Sequence, residues 1–290
     1  MNIGFVGLGI MGEAMCSNII KKHDGKVFVY DTVKEKTDRL ASLGAVGCQS
    51  SLEVARSSDV FITMVPKSEH SRAVYEEILP EAKGLVCIDM STIDPSESVK
   101  IADMIKAAGG QFADAPVVKS RPAALEGKLG IYVGCDEDLY EKILPVLGYM
   151  GENIIRLGEN GRGLVMKICH NALVSQIQNG VNETSTLASM FGIDMLTYAK
   201  AISYGGAGNW YLDSKKDVLA REDYTTAFSV ANEHKDVHIC MDLAREAGLR
   251  MPGEENAVRV YDRAMEMGLG GEDFSATIKV VRDGQTGKAE

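Results

Sequence analysis

The sequence predicts an α/β fold, in which a doubly wound parallel sheet is followed by an all-helical domain and one long helix joins the two. Three observations carry this. The first half of the chain alternates short, apolar, β-rich runs with amphipathic segments at helical spacing. Several of the β-rich runs are continuously apolar, which suits central parallel strands covered on both faces. From about residue 164 to 190 a helical pattern runs unbroken except for Gly180, and no strand alternation follows it.

In order, residues 2–6, 26–30, 60–65, 85–89 and 111–114 read as strands. Residues 11–22, 34–42, 69–79 and 95–108 read as the helices between them. Residues 130–134, 139–147 and 153–157 add a strand, a helix and a strand. A helix over 164–190 rises roughly 40 Å at 1.5 Å per residue, enough to link two domains. The glycine-rich run at 158–163 places the boundary near 162, giving domains 1–162 and 163–290. Breaks at Gly205-Gly206, Pro252-Gly253 and 268–271 divide the remaining helices.

The 290 residues are 45% apolar and 25% charged, which is ordinary globular usage. No apolar run reaches 18 residues, so no spanning helix is expected. The first residues enter a strand pattern without a basic region, so no signal peptide is expected either. A net charge of −10 argues against non-specific nucleic-acid or anionic-membrane binding. Any anionic small molecule must be held by local donors. The six cysteines form no CxxC pair and read as reduced thiols in a cytoplasmic protein. The 14 methionines read as core filling. His23, His70, His234 and His238 show no ligand spacing with carboxylates or thiols, and no metal is expected.

The first strand runs into Gly7-Leu8-Gly9-Ile10-Met11-Gly12, a G-x-G-x-x-G between a strand and a helix. Gly7 allows the tight turn, Gly9 lets a pyrophosphate approach the backbone, and Gly12 lets the helix pack close to the sheet. The first N–H groups of that helix, with its positive dipole end, hold phosphate. Asp31 ends the second strand, about 20 residues beyond the glycines, where an acid accepts ribose hydroxyls and repels a 2′-phosphate. Thr32 follows it, with no arginine to pair with such a phosphate, so NAD is preferred over NADP. Lys34 and Lys36 are the residues in reach of a 2′-phosphate. Met64, Val65 and Pro66 end the next strand and face the ribose and adenosine. Ser91 and Thr92 either place hydroxyls near the nicotinamide or cap the helix before Pro95.

These residues, with Asp114-Ala115-Pro116-Val117 and Gly161-x-Gly163-x3-Lys167-x3-Asn171, resemble the β-hydroxyacid dehydrogenase family, which includes 3-hydroxyisobutyrate dehydrogenase and tartronate semialdehyde reductase. The resemblance covers essentially the whole chain. It implies an N-terminal Rossmann domain, a long interdomain helix, an all-helical C-terminal domain and a homodimer or homotetramer. It implies that Lys167 is the catalytic lysine. A protonated amine beside the carbonyl oxygen supplies a proton and stabilises the alkoxide as hydride reaches carbon, and accepts a proton in the reverse direction. Asn171, one turn on, orients the lysine or holds substrate. Phe228-x6-Lys235-Asp236 matches a family motif that closes over the nicotinamide, with Lys235 touching cofactor or substrate and Asp236 pairing locally.

Two departures stand out. The usual Lys-x-x-Asn-Asn is here Lys167-Ile168-Cys169-His170-Asn171, and His170 reads as a structural histidine on the helix. After Asp-Ala-Pro-Val the family continues Ser-Gly-Gly; here the loop is Val118-Lys119-Ser120-Arg121, with Gly127 in register. Sulfolactaldehyde reductases, a branch of the same family, place an arginine at the position of Lys119. Val118, Lys119, Ser120 and Arg121 therefore suggest an oxyanion-rich substrate end, a sulfonate or a second carboxylate. Arg121 either meets that end or points to solvent. Trp210, behind Gly205-Gly206-Ala207-Gly208-Asn209, lines the pocket or packs in the core. An imine reductase or a non-catalytic nucleotide-binding protein on the same fold would usually lack Lys167.

Overall fold

The structure is a computed structural model and describes residues 1–283; the end of the expected second domain, 284–290, lies outside the described residues. The chain divides into two compact units, one ending at Lys167 and the other starting at Ile168.

In the first unit the strands are β1 (Ile3–Val6), β2 (Val27–Tyr30), β3 (Val46–Gly47), β4 (Val60–Thr63), β5 (Val86–Asp89), β6 (Gln111–Asp114), β7 (Val117–Val118), β8 (Leu129–Gly134) and β9 (Gly151–Gly158). They form one sheet of order β3-β2-β1-β4-β5-β6-β8-β7, with β9 paired to β8. Helices α1 (Ile10–Lys22), α2 (Lys34–Ser42), α3 (Ser51–Arg56), α4 (Ser68–Ile78), α5 (Pro95–Ala107), α6 (Arg121–Glu126) and α7 (Glu137–Leu147) connect them. Strands β1 to β6 pair in parallel. The expected parallel pattern breaks at the far edge, where β8 runs antiparallel to both β6 and β7. The six-residue α6 rises only about 9 Å, too little to carry the chain back for a parallel crossover.

Alternate strand residues enter two cores. Ile3, Phe5, Val60, Ile62, Val86 and Ile88 pack with Ala14, Met15 and Ile19 of α1. Val6, Phe61, Cys87 and Phe112 pack with Val54, Tyr75, Ile101 and Ile105 of α3, α4 and α5. Burial on both faces is why these strands read as uninterrupted apolar runs. The short α3 was legible in principle: Ser50 accepts from the Glu53 N–H at 3.1 Å while the Glu53 carboxylate accepts from the Gln49 N–H at 2.6 Å, close to a capping box.

Helix α8 (Arg162–Met190) begins in the first unit and runs on through the second. The second unit continues with α9 (Met195–Ile202), α10 (Trp210–Arg221), α11 (Val230–Glu246), α12 (Pro252–Glu266) and α13 (Ile278–Asp283), with no strand among the described residues. Asp194, Asn209 and Ser229 cap α9, α10 and α11 through their side chains. The core gathers Val181, Tyr198, Tyr211, Leu212, Val237, Tyr261 and Phe274. Within it α8 buries polar residues that find fixed partners: Tyr261 donates to Gln178, and Asn182 donates to Thr277 Oγ1 at 3.0 Å. Among the described residues no helix is long and apolar enough to cross a membrane.

The start of α8 is set by Asp114, at the end of β6. Its carboxylate accepts from the Gly161 N–H at 2.7 Å and the Leu164 N–H at 3.0 Å, two donors a helix start leaves unpaired. Close approach makes this possible. A methyl group at Gly134 would stand 2.5 Å from Asp114 Oδ1, and one at Gly163 would stand 2.8 Å from Oδ2 and 2.5 Å from the Tyr132 carbonyl oxygen. Asn160 adds bonds to the carbonyls of Phe112 (2.9 Å) and Gly134 (3.0 Å). Burial nevertheless outweighs the two N–H bonds and pushes the Asp114 carboxyl up from 3.8 to about 6. The folded state therefore holds this proton more tightly than the unfolded chain, and ionising Asp114 costs stability of about 3 kcal/mol. That loss develops as pH rises from 3.8 through about 6. Asp114→Asn keeps one acceptor but cannot ionise. Urea unfolding across this range should show wild type losing its margin over the variant as pH rises; a widening margin would contradict this reading.

Candidate active site

Strands β2, β1, β4 and β5 are neighbours, and their registers pair Tyr30, Val6, Thr63 and Asp89 at one level. The segments that follow them emerge side by side, which brings together Asp31, the Gly7–Gly12 turn, residues 64–66 and residues 91–92. Gly7 has φ +92°, a conformation glycine adopts at no steric cost. A methyl group at Gly12 would stand 2.0 Å from the Gly7 carbonyl oxygen, so α1 packs hard against the turn. A methyl group at Gly9 would meet nothing within 4 Å, and Gly9 heads α1 with no side-chain cap. Open space over uncapped helix N–H groups is what a pyrophosphate requires, so these residues fit a dinucleotide.

Asp31 serves the fold as well. Its Oδ2 accepts from the Leu8 N–H at 2.7 Å and its Oδ1 from the Val33 N–H at 2.9 Å, which ties the second strand end to the glycine turn. Both lysines in reach are engaged: Lys34 pairs with Asp38 at 2.6 Å and Lys36 with Asp31 at 3.5 Å. Ser91 and Thr92 do not cap α5; Asp94 does, accepting from the Ser96 N–H at 2.7 Å. Ser91 instead joins strand ends, accepting from the Val65 N–H at 2.8 Å while its own N–H donates to Asp89 at 2.9 Å. Burial pushes the Asp89 carboxyl up, against hydrogen bonds from Ser71 and Ser91.

In the loop after β7, Lys119 has φ +76°, in the left-handed region that glycine favours. Its ammonium donates to the Lys128 carbonyl at 2.7 Å and to Glu152 at 3.1 Å. The Lys119 ammonium, expected to offer its charge to a substrate, is thus shared with Glu152 in an exposed pair. Ser120 precedes α6 as its cap position, and Arg121 is its exposed first residue, with no carboxylate partner among the described residues. Val118 is buried.

Lys167, on the second turn of α8, is buried to 9% exposure. In the second unit Asn171 Nδ2 donates to Asp236 Oδ2 at 2.7 Å, and Lys235 Nζ donates to Asp236 Oδ1 at 2.7 Å. A buried carboxylate thus holds two expected site residues together. The sequence shows Asp236 only as a local partner, because the 65-residue separation from Asn171 leaves no spacing signal. Trp210 is 69% exposed, which excludes core packing. Asn209 caps α10, accepting from the Leu212 N–H at 2.8 Å. The neighbouring glycines line an open cavity of about 410 Å³ with Ile177, Val181 and Tyr198. The histidine expectation needs correction too. His234 and His238 are one helical turn apart on α11, and both reach Asp262 of α12 at 2.9 Å. Helix pairing, invisible in the sequence, supplies that carboxylate.

Fold and site together define a two-domain, NAD-dependent oxidoreductase. Residues 2–158 match the family model described as the NAD binding domain of 6-phosphogluconate dehydrogenase. Residues 161–281 match the one described as NAD-binding of NADP-dependent 3-hydroxyisobutyrate dehydrogenase. The chain is 34% identical to the mitochondrial 3-hydroxyisobutyrate dehydrogenase of Drosophila melanogaster, over 97% of this chain and 89% of that one. It is 33% identical to glyoxylate/succinic semialdehyde reductase 1 of Arabidopsis thaliana, over 97% and 99%. Among solved structures, 3-hydroxyisobutyrate dehydrogenase of Mycobacterium tuberculosis with L-serine superposes with a TM-score of 0.89 at 28% identity, covering 97% of this chain and 99% of that one. The chain belongs to the β-hydroxyacid dehydrogenase family, as an NAD-dependent 3-hydroxy acid dehydrogenase or semialdehyde reductase.

The backbone at Lys119 makes its own prediction. Glycine there should be more stable than alanine by about 1 kcal/mol, because only alanine keeps the left-handed penalty. Chemical denaturation of Lys119→Gly and Lys119→Ala measures this; the reverse order would mean that the loop does not hold φ positive.

Proposed function

We propose that this enzyme interconverts a short 3-hydroxy acid and its semialdehyde, the substrate ending in a strong anion such as a sulfonate. Residues 1–162 carry NAD, and residues 163–290 carry substrate contacts and the subunit interface. The observation that carries the reading is Lys167, a buried lysine three residues beyond the Leu164 N–H that Asp114 fixes. Its burial keeps the ammonium out of bulk water, where proton transfer to a developing alkoxide is most effective. When bound, NAD(H) supplies or takes up the hydride. Lys167 donates a proton to the carbonyl oxygen during reduction and takes it back during oxidation. Asn171, one turn along α8, orients the reacting end, and Asp236 fixes its amide. Gly7, Leu8, Gly9, Ile10, Met11 and Gly12 hold the pyrophosphate, and Asp31 holds the adenosine ribose. Met64, Val65, Pro66, Thr92 and Lys235 complete the cofactor contacts. Val118, Lys119 and Ser120 shape the substrate loop through their backbone, Arg121 meets the anionic end, and Trp210 closes on substrate.

NAD is preferred to NADP, supported by Asp31 and by the engagement of Lys34 and Lys36 with carboxylates. We read the assembly as a cytoplasmic homodimer or homotetramer, supported by the exposed apolar side chains of Leu187, Met190 and Phe191 at the end of α8. A second reading, a plain carboxylate substrate, is favoured by one observation: Glu152 engages Lys119, which leaves Arg121 as the cation of the loop.

NADH oxidation with succinic, tartronic, methylmalonic and sulfonated semialdehydes separates the readings. The sulfonate reading expects kcat/KM for the sulfonated compound at least about tenfold above the others, a difference near 1.4 kcal/mol. Arg121→Ala should erase that ratio, and NADPH should serve less well than NADH. Equal values across the panel would favour the carboxylate. Lys167→Ala should lower kcat by about 10²–10⁴ while NADH affinity holds. Turnover near wild type in that variant would remove the mechanism.

A further inference from the structure

The reaction makes no use of His234, His238 and Asp262. His234 Nε2 and His238 Nε2 each lie 2.9 Å from the same oxygen, Asp262 Oδ1. The imidazole rings pack edge to face with centroids 4.5 Å apart, and the three donor atoms lie within 4.8 Å of one another. The i, i+4 spacing on α11 turns both rings to one side, and α12 supplies the acid. The nearby cations are bonded elsewhere: Lys235 to Asp236, Arg259 to Asn256, and Arg263 to Glu266 and Asp283.

We propose that His234, His238 and Asp262 form a binding site for a first-row divalent metal ion such as Zn²⁺, which staples α11 to α12. Two imidazole nitrogens with one carboxylate oxygen select borderline metals over Mg²⁺ and Ca²⁺, which take oxygen ligands. Zn–N bonds of about 2.0 Å and Zn–O bonds of about 2.1 Å place tetrahedral ligands roughly 3.3 Å apart. Small side-chain rotations from the present geometry reach that spacing. Each histidine binds through Nε2 with its proton on Nδ1, and water completes the coordination, since all three side chains are 28–45% exposed. The site is structural and not catalytic. Asp236, which holds Asn171, sits two residues from either histidine and so about 200° around the helix.

The test is titration of the full-length protein with zinc chloride, followed by calorimetry and by melting temperature, with a parallel copper(II) electron paramagnetic resonance spectrum. Wild type should bind one zinc ion and melt at a higher temperature with it. His234→Gln/His238→Gln should weaken zinc about 100-fold or more and abolish the melting shift, and Asp262→Asn should weaken it about tenfold. The copper spectrum should show coupling to two imidazole nitrogens, a readout that needs no variant and therefore survives if the double variant fails to fold. Cys169, an exposed thiol, is the competing ligand. Equal zinc affinity in wild type and the double variant, loss of binding in Cys169→Ser alone, or a copper spectrum without two nitrogens would each overturn the proposal. None of these readouts depends on the dehydrogenase reaction.

Discussion

A carboxylate driven out of water organises this protein. Asp114 is buried at the end of β6, yet it accepts two backbone N–H groups from the start of α8. The rise of its carboxyl to about 6 shows desolvation exceeding what the two bonds return. Such a group persists because removing it would leave buried donors unpaired, which costs more than the bonds gain. Its demands spread outward. Gly134 and Gly163 stay small to admit it, and Gly161 adopts φ +89° so that its N–H can turn inward. Lys167 comes one turn after Leu164, so its place is inherited from the clamp. The Gly-x-Gly-x3-Lys pattern is thus a mechanical statement about where a helix starts, and only through that a chemical one.

The chain carries ten more acidic than basic residues, and it still has to hold an anionic cofactor. A helix start offers partial positive charge without a cationic side chain, and α1 begins uncapped at Gly9. Lys34 and Lys36, just after β2, are matched by Asp38 and Asp31. The same economy appears in the loop after β7, where Lys119 pairs with Glu152. A cation count taken from sequence therefore overstates the charge available to a ligand, because it cannot show which ammonium groups already have partners.

Periodicity made the sheet and its helices legible. Strands β1, β4 and β5 are buried along their whole length, so each leaves an apolar run, and α1, α2 and α5 fall within a residue or so of their expected ends. The elements that escaped, β3, α3, β7 and α6, have two to six residues, too few for a period to repeat. The antiparallel entry of β8 escaped as well, because strand direction is decided by the length of a connection and not by the strand's own residues. At the site, Gly7, Gly9, Gly12 and Asp31 were legible because local backbone geometry dictates them. The Asn171–Asp236 bond and the Asp262 cluster were not, because each depends on which faces of two helices meet. Lys119 shows a third limit: neither its φ of +76° nor its pairing with Glu152 leaves a mark in the sequence pattern.

Asp236 is the second buried acid that shapes this machinery, and it works differently from Asp114. It accepts from an amide and an ammonium, so its charge is matched by Lys235 and its position is shared with Asn171. Removing either partner would leave a buried charge half-satisfied, a loss of about 3–5 kcal/mol when an ion pair is broken. Lys235 is its immediate neighbour in sequence, and adjacent helical residues do not ordinarily face each other. The lysine must therefore curl around the helix to reach it, which draws its ammonium toward Asn171 and away from solvent. Helix α11 thus has two occupations, an ion pair that holds Asn171 on one flank and an imidazole pair facing α12 on the other.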